Sequence, residues 1–423
     1  MSERKQAPAD RVETGRKTAS KSDNFVDIPT TPRAFIEALV AMDTTSAKSN
    51  LAVIDLLECS FAAAGARIHR IDDADGLHAS LLATFPAVDG TVDGGVMVAG
   101  HTDCVPVDGQ VWTSDPFTPE ERDGRLYGRG TADMKSYLGI IAALAPQISQ
   151  TRLARPLHIA ATWDEEVTSM RGAFALVEKL DELHIHPDIA LVGEPTTMHA
   201  IGAHKSMNVI TLTFRGLASH SSLPVRGLNA IRYAAEFITW YHTEIIERFQ
   251  SEGPFDDGFR VPWSTGGVNV VQGGTAVNTV ADRAYLELDF RTLPQVDALE
   301  IHRRVHEKAR DIDERMKADA PTEAAGDVSQ VGVTVETVGQ VTGLASGPES
   351  AAARYAVSLG AIATADKVTY GTEAGTYEAA GMSAVVVGPG DIAQAHGPDE
   401  YIELDQIAAG EEFFQRLIAD LAE

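Results

Sequence analysis

The sequence predicts an α/β fold: a mixed, largely parallel sheet interrupted by an inserted ferredoxin-like α+β unit. Three observations carry this. Short apolar runs of strand length alternate with stretches of helical periodicity in the first and last parts of the chain. The middle instead follows the order β-α-β-β-α-β, the signature of a split βαβ unit. The chain has 423 residues, 44% hydrophobic and 23% charged, which suits a globular protein of two or three domains.

The elements follow in order. Residues 1–30 are polar, with little apolar periodicity, and are expected to be a mobile extension. Helical spacing begins at Thr31-Pro32, and a second helix over 51–64 ends at Gly65. Buried-strand runs follow at 95–100, 157–163, 189–192 and 384–387, with helices expected at 134–145 and 170–180. In the middle, strands are expected at 208–214, 268–271, 284–290 and 331–338, and helices at 229–248 and 296–309. The division that results is 31–202 and 340–423 for the two parts of the α/β unit and 203–339 for the insertion.

Charge and cysteine usage exclude several classes of function. Lys and Arg number 35 and Asp and Glu 61, a net charge of −26, so a nucleic acid or an anionic membrane is not an expected partner. The longest stretch without a charge, 261–281, contains four Gly, two Asn and a Gln, a composition unsuited to a membrane span. Two cysteines, Cys59 and Cys104, and no visible export signal lead to the expectation of a reducing, cytoplasmic setting.

The chemistry concentrates where strands end. His101-Thr102-Asp103 follows the 96–99 run. Asp133 precedes a helix, Asp164-Glu165-Glu166 follows the 157–163 run, Glu194-Pro195 follows 189–192, and His396 lies beyond 384–387. Open α/β sheets bind ligands beyond the carboxyl ends of their strands, so His101, Asp133, Glu165 or Glu166, Glu194 and His396 are expected at one sheet edge. Alone, Asp133 reads as an ordinary helix N-cap and His396 as a loop histidine. Together, packed carboxylates require a compensating cation. Two divalent ions balance Asp133, Glu166, Glu194 and one hydroxide, and this leaves Glu165 without a metal. Two imidazoles with three carboxylates suit zinc, cobalt or manganese better than calcium. Asp103 is placed to accept the second ring N–H of His101.

The segments Gly100-His101-Thr102-Asp103, Gly128-Arg129-Gly130-Thr131-Ala132-Asp133-Met134-Lys135, Asp164-Glu165-Glu166 and Gly193-Glu194-Pro195-Thr196 resemble the signatures of the dinuclear-metal amidohydrolases. That family includes aminoacylases, glutamate carboxypeptidase-like enzymes, succinyl-diaminopimelate desuccinylase and acetylornithine deacetylase. Ala203-His204-Lys205, 216–230, Thr372-Glu373-Ala374, 388–396 and Pro398-Asp399-Glu400-Tyr401 are most similar to the acetylornithine deacetylase branch.

The resemblance implies a catalytic domain in two parts with an inserted lid or dimerisation domain, and two Zn2+ or Co2+ ions. Asp133 would bridge them. His101 and Glu194 would complete one ion site, and Glu166 and His396 the other. Glu165 would be the base, Asp103 would orient His101, and the Asp133–Met134 peptide would be cis. His220 of the lid would stabilise the oxyanion, reaching the partner's site in dimeric members. Arg291, with Asn278, would bind the substrate carboxylate. Glu373 is expected to meet a distal ammonium. The implied reaction is hydrolysis of an N-acyl amino acid, foremost N2-acetylornithine to ornithine and acetate, a step of arginine biosynthesis. A desuccinylase, a general deacylase and a catalytically silent metal-binding paralogue remain open.

Overall fold

A computed structural model describes residues 27–167, 169–324 and 326–423. All of the expected extension 1–30 except its last four residues lies outside them. The first unit is built on a six-stranded sheet. In spatial order its strands are Arg67–Asp72, Ala79–Phe85, Leu157–Thr162, Val96–His101, Ile189–Val192 and Ser383–Val386. The last four run parallel to one another, and Ala79–Phe85 runs antiparallel to both its neighbours, so the sheet is mixed and largely parallel.

Its inner strands are apolar on both faces because helices cover both sides. Along Val96–Ala99 the side chains alternate between two cores. Val96 and Val98 face a core shared with helices Pro32–Val40, Leu51–Ala63, Lys135–Ala143 and Leu404–Leu421. Met97 and Ala99 face a second core shared with helices Arg171–Leu183 and Ala374–Ala379. Leu157 and Ile189 join the first core, and Ala160 and Val192 the second. The antiparallel pair at the edge gave no clear signal in the sequence. Its outer strand, Arg-Ile-His-Arg-Ile-Asp, is charged and solvent-facing.

The insertion is a four-stranded antiparallel sheet in the spatial order Thr265–Gly273, Arg283–Arg291, Met207–Arg215, Gly332–Val341, the arrangement of a split βαβ unit. Ile210, Leu212 and Phe214 alternate inward with Ala284, Leu286, Leu288 and Phe290, against helices Ala230–Tyr241 and Ala298–Ala318. The expected helix over 229–248 is a helix, a π-turn at His242–Ile246 and a further helix, Glu247–Glu252. Near the chain's crossings between the units, the main chains of His204 and Leu344 bond to each other. The buried Lys205 ammonium there donates to the carbonyls of Val261 (2.9 Å) and Trp263 (2.5 Å). Among the described residues no helix is long and apolar enough to cross a membrane.

Candidate metal centre

The centre forms where the parallel strands end. Strand Val96–His101 is flanked by Leu157–Thr162 and Ile189–Val192, so the segments leaving all three emerge side by side. His101 is the last residue of its strand and is fully buried. Its Nδ1–H donates to the main-chain oxygen of Asp103 (2.9 Å), which turns Nε2 toward the acids. The Asp103 carboxylate lies farther off, at 3.6 Å. The expectation that this carboxylate orients the ring is therefore met by its carbonyl instead. The carboxylate accepts the Ser46 hydroxyl (2.7 Å) and the amides of Glu165 and Glu166 (3.4 and 3.3 Å), so Asp103 holds the turn that carries the glutamate pair.

Asp133 does not cap the helix that follows it. Met134 occupies the cap position without a side-chain bond. One Asp133 oxygen lies 3.0 Å from His101 Nε2 and the other 3.3 Å from His396 Nε2. His396 also lies 2.9 Å from Glu166, and His101 lies 3.8 Å from Glu194. A single buried carboxylate thus faces two histidines with its two oxygens, and each histidine has its own glutamate. The Asp133–Met134 peptide is cis, as the resemblance implies. Gly193 sets the approach of Glu194: a Cβ there would lie 2.1 Å from the Tyr137 ring.

The electrostatics call for added positive charge. Burial raises the Glu194 carboxyl well above its ordinary range, and Asp133 and Glu165 add to the shift. Glu166 is pushed to about 7 by burial and by Asp133. Burial likewise raises Glu165 well above the ordinary range, against the pull of His101 and with the push of Glu166 and Asp133. Burial works against charge on His101, yet its hydrogen bond to Asp133 raises it overall. His396 rises to about 10 through its bonds to Asp133 and Glu166. One oxygen each of Glu166 and Glu194 is buried without a hydrogen-bond partner. His101, Glu165 and Glu194 offer ligand atoms within 4.8 Å of one another, as do His101, Asp133 and Glu166. Unpartnered buried oxygens beside histidine ring nitrogens fit divalent ions.

The lid residues lie apart from this cluster within one chain. His220 is exposed and pairs with the Ser222 hydroxyl (2.7 Å). Asn278 is its neighbour: the Ser221 amide donates to the Asn278 carbonyl (2.9 Å), and His220 bridges to Thr279. Arg291 is half-buried and reaches the other unit, donating to the Thr369 carbonyl (3.2 Å). Glu373 needs a correction. It is buried, one oxygen accepts the Thr162 hydroxyl and the other the Tyr377 hydroxyl (3.0 Å). Both oxygens are engaged beneath the sheet edge, so in this arrangement it presents none to a substrate ammonium. Cys104 is buried and its thiol is raised to about 11 by burial, the state of an unreactive cysteine.

Sequence reasoning missed the buried charges behind the centre. Arg129 and Glu400 form an ion pair at 2.5 Å with both side chains only 1% exposed. Lys135 is buried and donates to the Met42 carbonyl (2.8 Å). Arg129 and Lys135 stand on either side of Asp133, and Glu400 follows the His396 loop. That proximity to two candidate ligands was the available signal.

A model of the peptidase family M20/M25/M40 matches residues 97–420. An acetylornithine deacetylase of Yersinia pseudotuberculosis is 33% identical over 398 residues, covering 90% of this chain and 93% of the relative. Among solved structures, an M20 family metallo-carboxypeptidase from Sulfolobus solfataricus is similar with a TM-score of 0.67 at 16% identity, covering 92% and 98% of the two chains. A Bacillus subtilis protein described as a dinuclear metal binding peptidase from the M20 family is similar with a TM-score of 0.58 at 16% identity, covering 92% and 97%. The fold and the centre are those of a metal-dependent hydrolase. The chain belongs to the M20/M25/M40 peptidase family, in which it is similar to acetylornithine deacetylases.

Proposed function

We propose that the protein is a dinuclear-metal deacylase that hydrolyses the amide of an N-acyl amino acid, N2-acetylornithine foremost, to the free amino acid and acetate. The observation that carries the reaction class is the Asp133 carboxylate, one oxygen toward His101 and the other toward His396. The substrate rests on the similarity to acetylornithine deacetylases.

His101, Asp133 and Glu194 would hold one divalent ion, and Asp133, Glu166 and His396 the other. Zinc and cobalt both suit this donor set. Bound ions would lower the pKa of a water and polarise the acyl oxygen. Glu165 takes the proton of the attacking water and delivers it to the leaving amine nitrogen. Its raised affinity for protons suits a group that must both accept and release one. Asp103 fixes the backbone of Glu165 and so its reach. The partner's His220 would donate to the tetrahedral oxyanion, with Asn278 bracing its loop. Arg291 would bind the substrate carboxylate through its guanidinium fork.

The placement of Glu373 favours a second reading, a deacylase of broader amino-acid range. With both its oxygens engaged, Glu373 does not meet a distal ammonium. Turnover of acetylornithine, succinyl-diaminopimelate and other N-acyl amino acids, measured with zinc and with cobalt, decides between them. Acetylornithine should exceed the others in kcat/KM. Equal rates across neutral side chains establish the broader reading. Absence of turnover on every substrate with both ions bound refutes a deacylase.

A further inference from the structure

Gln110 lies in the loop 108–118, outside every motif singled out in the sequence, yet it bonds to the main chain of His396 and to Arg129. Its side-chain nitrogen donates to the main-chain carbonyl of His396 (2.8 Å). Its side-chain oxygen accepts the Trp112 indole N–H (3.0 Å) and an Arg129 guanidinium N–H (2.7 Å). With two donors on the oxygen and a carbonyl at the nitrogen, only one orientation of the amide satisfies the network.

Arg129 extends the network inward to Glu400 Oε2 (2.5 Å). The other Glu400 oxygen accepts the amides of Ala132 (2.9 Å) and Asp133 (3.2 Å). One continuous path of hydrogen bonds therefore joins the backbone of Asp133 to the backbone of His396. These two side chains meet at 3.3 Å.

Desolvating two buried charges costs much of what their attraction returns. The net contribution of Arg129 and Glu400 to stability is correspondingly weak, while the fixed geometry they impose is strong. His396 also has φ +64, an unfavourable backbone conformation for a non-glycine residue that surrounding contacts must maintain.

We propose that Gln110 is a positioning residue: with Arg129 and Glu400 it sets His396 against Asp133, and so tunes the ion site formed by Asp133, Glu166 and His396 without touching the ion. The proposal rests on the two-ion reading above. Groups behind metal ligands typically alter affinity by about 10–100-fold, and here the effect falls on one ion of the two.

The test titrates the metal-stripped full-length protein with Co2+, followed by calorimetry and visible absorption. Gln110→Glu is the informative variant. It keeps size and keeps the acceptor for Trp112 and Arg129, but has no N–H for the His396 carbonyl. The wild-type chain should take two Co2+. Gln110→Glu and Gln110→Ala should each weaken one of them about 10–100-fold, leave the other unchanged and leave the metal-free melting temperature close to wild type. Wild-type affinity for both ions in Gln110→Glu overturns the proposal, because Gln110 would then only fill space. Equal weakening of both ions, or a fall in melting temperature that accounts for the loss, overturns it as well. Fewer than two Co2+ on the wild-type chain fails the two-ion reading itself and removes the proposal with it, a result distinguishable from failure in the variants alone.

Discussion

Glu165 and Glu166 are adjacent in sequence and differ in what they touch. Glu166 lies 2.9 Å from His396 Nε2, whereas the Glu165 carboxylate has no hydrogen-bond partner among the described residues and is raised by burial and neighbouring acids. In the proposed function the first is accordingly a ligand and the second the base. Glu165→Gln removes the base and keeps the shape. The expected outcome is about two ions still bound and turnover reduced by roughly 10²–10⁴-fold. Metal analysis beside an activity assay checks it, and loss of metal together with activity would reverse the two roles. The pair was legible in the sequence because it directly follows an apolar strand, where two solvated acids are out of place. The buried partners behind the centre were not. Glu400 and Arg129 are 271 positions apart, and no local pattern tells a buried acid from a surface one. Glu373 shows the same limit: its motif located it near the centre, but whether its carboxylate faced the pocket or Thr162 depended on packing.

Elements were legible where burial imposes a period. The alternation of 208–214 and 284–290 follows from one covered sheet face, and the apolar runs at 96–99 and 157–163 from two. Edges carry no such constraint, which is why the strand Arg67–Asp72 escaped notice. The long lid helix Ala298–Ala318 extends well past its expected end at 309 because its later turns are held by charge as well as by apolar packing. Arg315 and Lys308 converge on Glu236 of the facing helix (2.6 and 2.8 Å). The Arg315 hydrogen bond, opposed by partial burial and aided by Lys308, holds Glu236 at about 2, below its ordinary 4.5. The group's pKa is depressed on folding, so its contribution is fully present above pH 4.5 and is lost as pH falls from 4.5 toward 2. The carboxylate is more than a third exposed, and screening limits the contribution to under about 1 kcal/mol. Amide exchange in the two lid helices should therefore show Glu236→Ala opening more readily than wild type at pH 6, with the difference shrinking at pH 3. An undiminished difference at pH 3 would assign the effect to packing instead.

Across the whole molecule, one chain does not assemble everything the proposed reaction asks for. The two units touch through Arg291 and Thr369 and through Lys367 and Asp256 (2.6 Å), which brings Arg291 to the catalytic unit. His220 and Asn278 stay on the exposed lid surface, among the exposed apolar side chains of Leu223, Val225 and Val277, and make no contact with the centre among the described residues. If His220 serves the oxyanion as proposed, it has to arrive from a second copy, and a two-fold dimer would supply it to both sites at once. Glu165→Gln and His220→Ala are each expected to be inactive as pure proteins. When the two are unfolded, mixed in equal amounts and refolded, about half of the dimers are mixed and one of their two sites is whole. That site pairs an intact Glu165 with the partner's His220. Activity should then return to about a quarter of wild type, from statistical assortment of a two-fold dimer. If His220 acted within its own chain, every site in the mixture would lack one of the two groups. Mixed dimers captured through distinct tags yet still inactive would therefore place His220 in its own chain's site, and an active pure His220→Ala protein would place it outside the reaction.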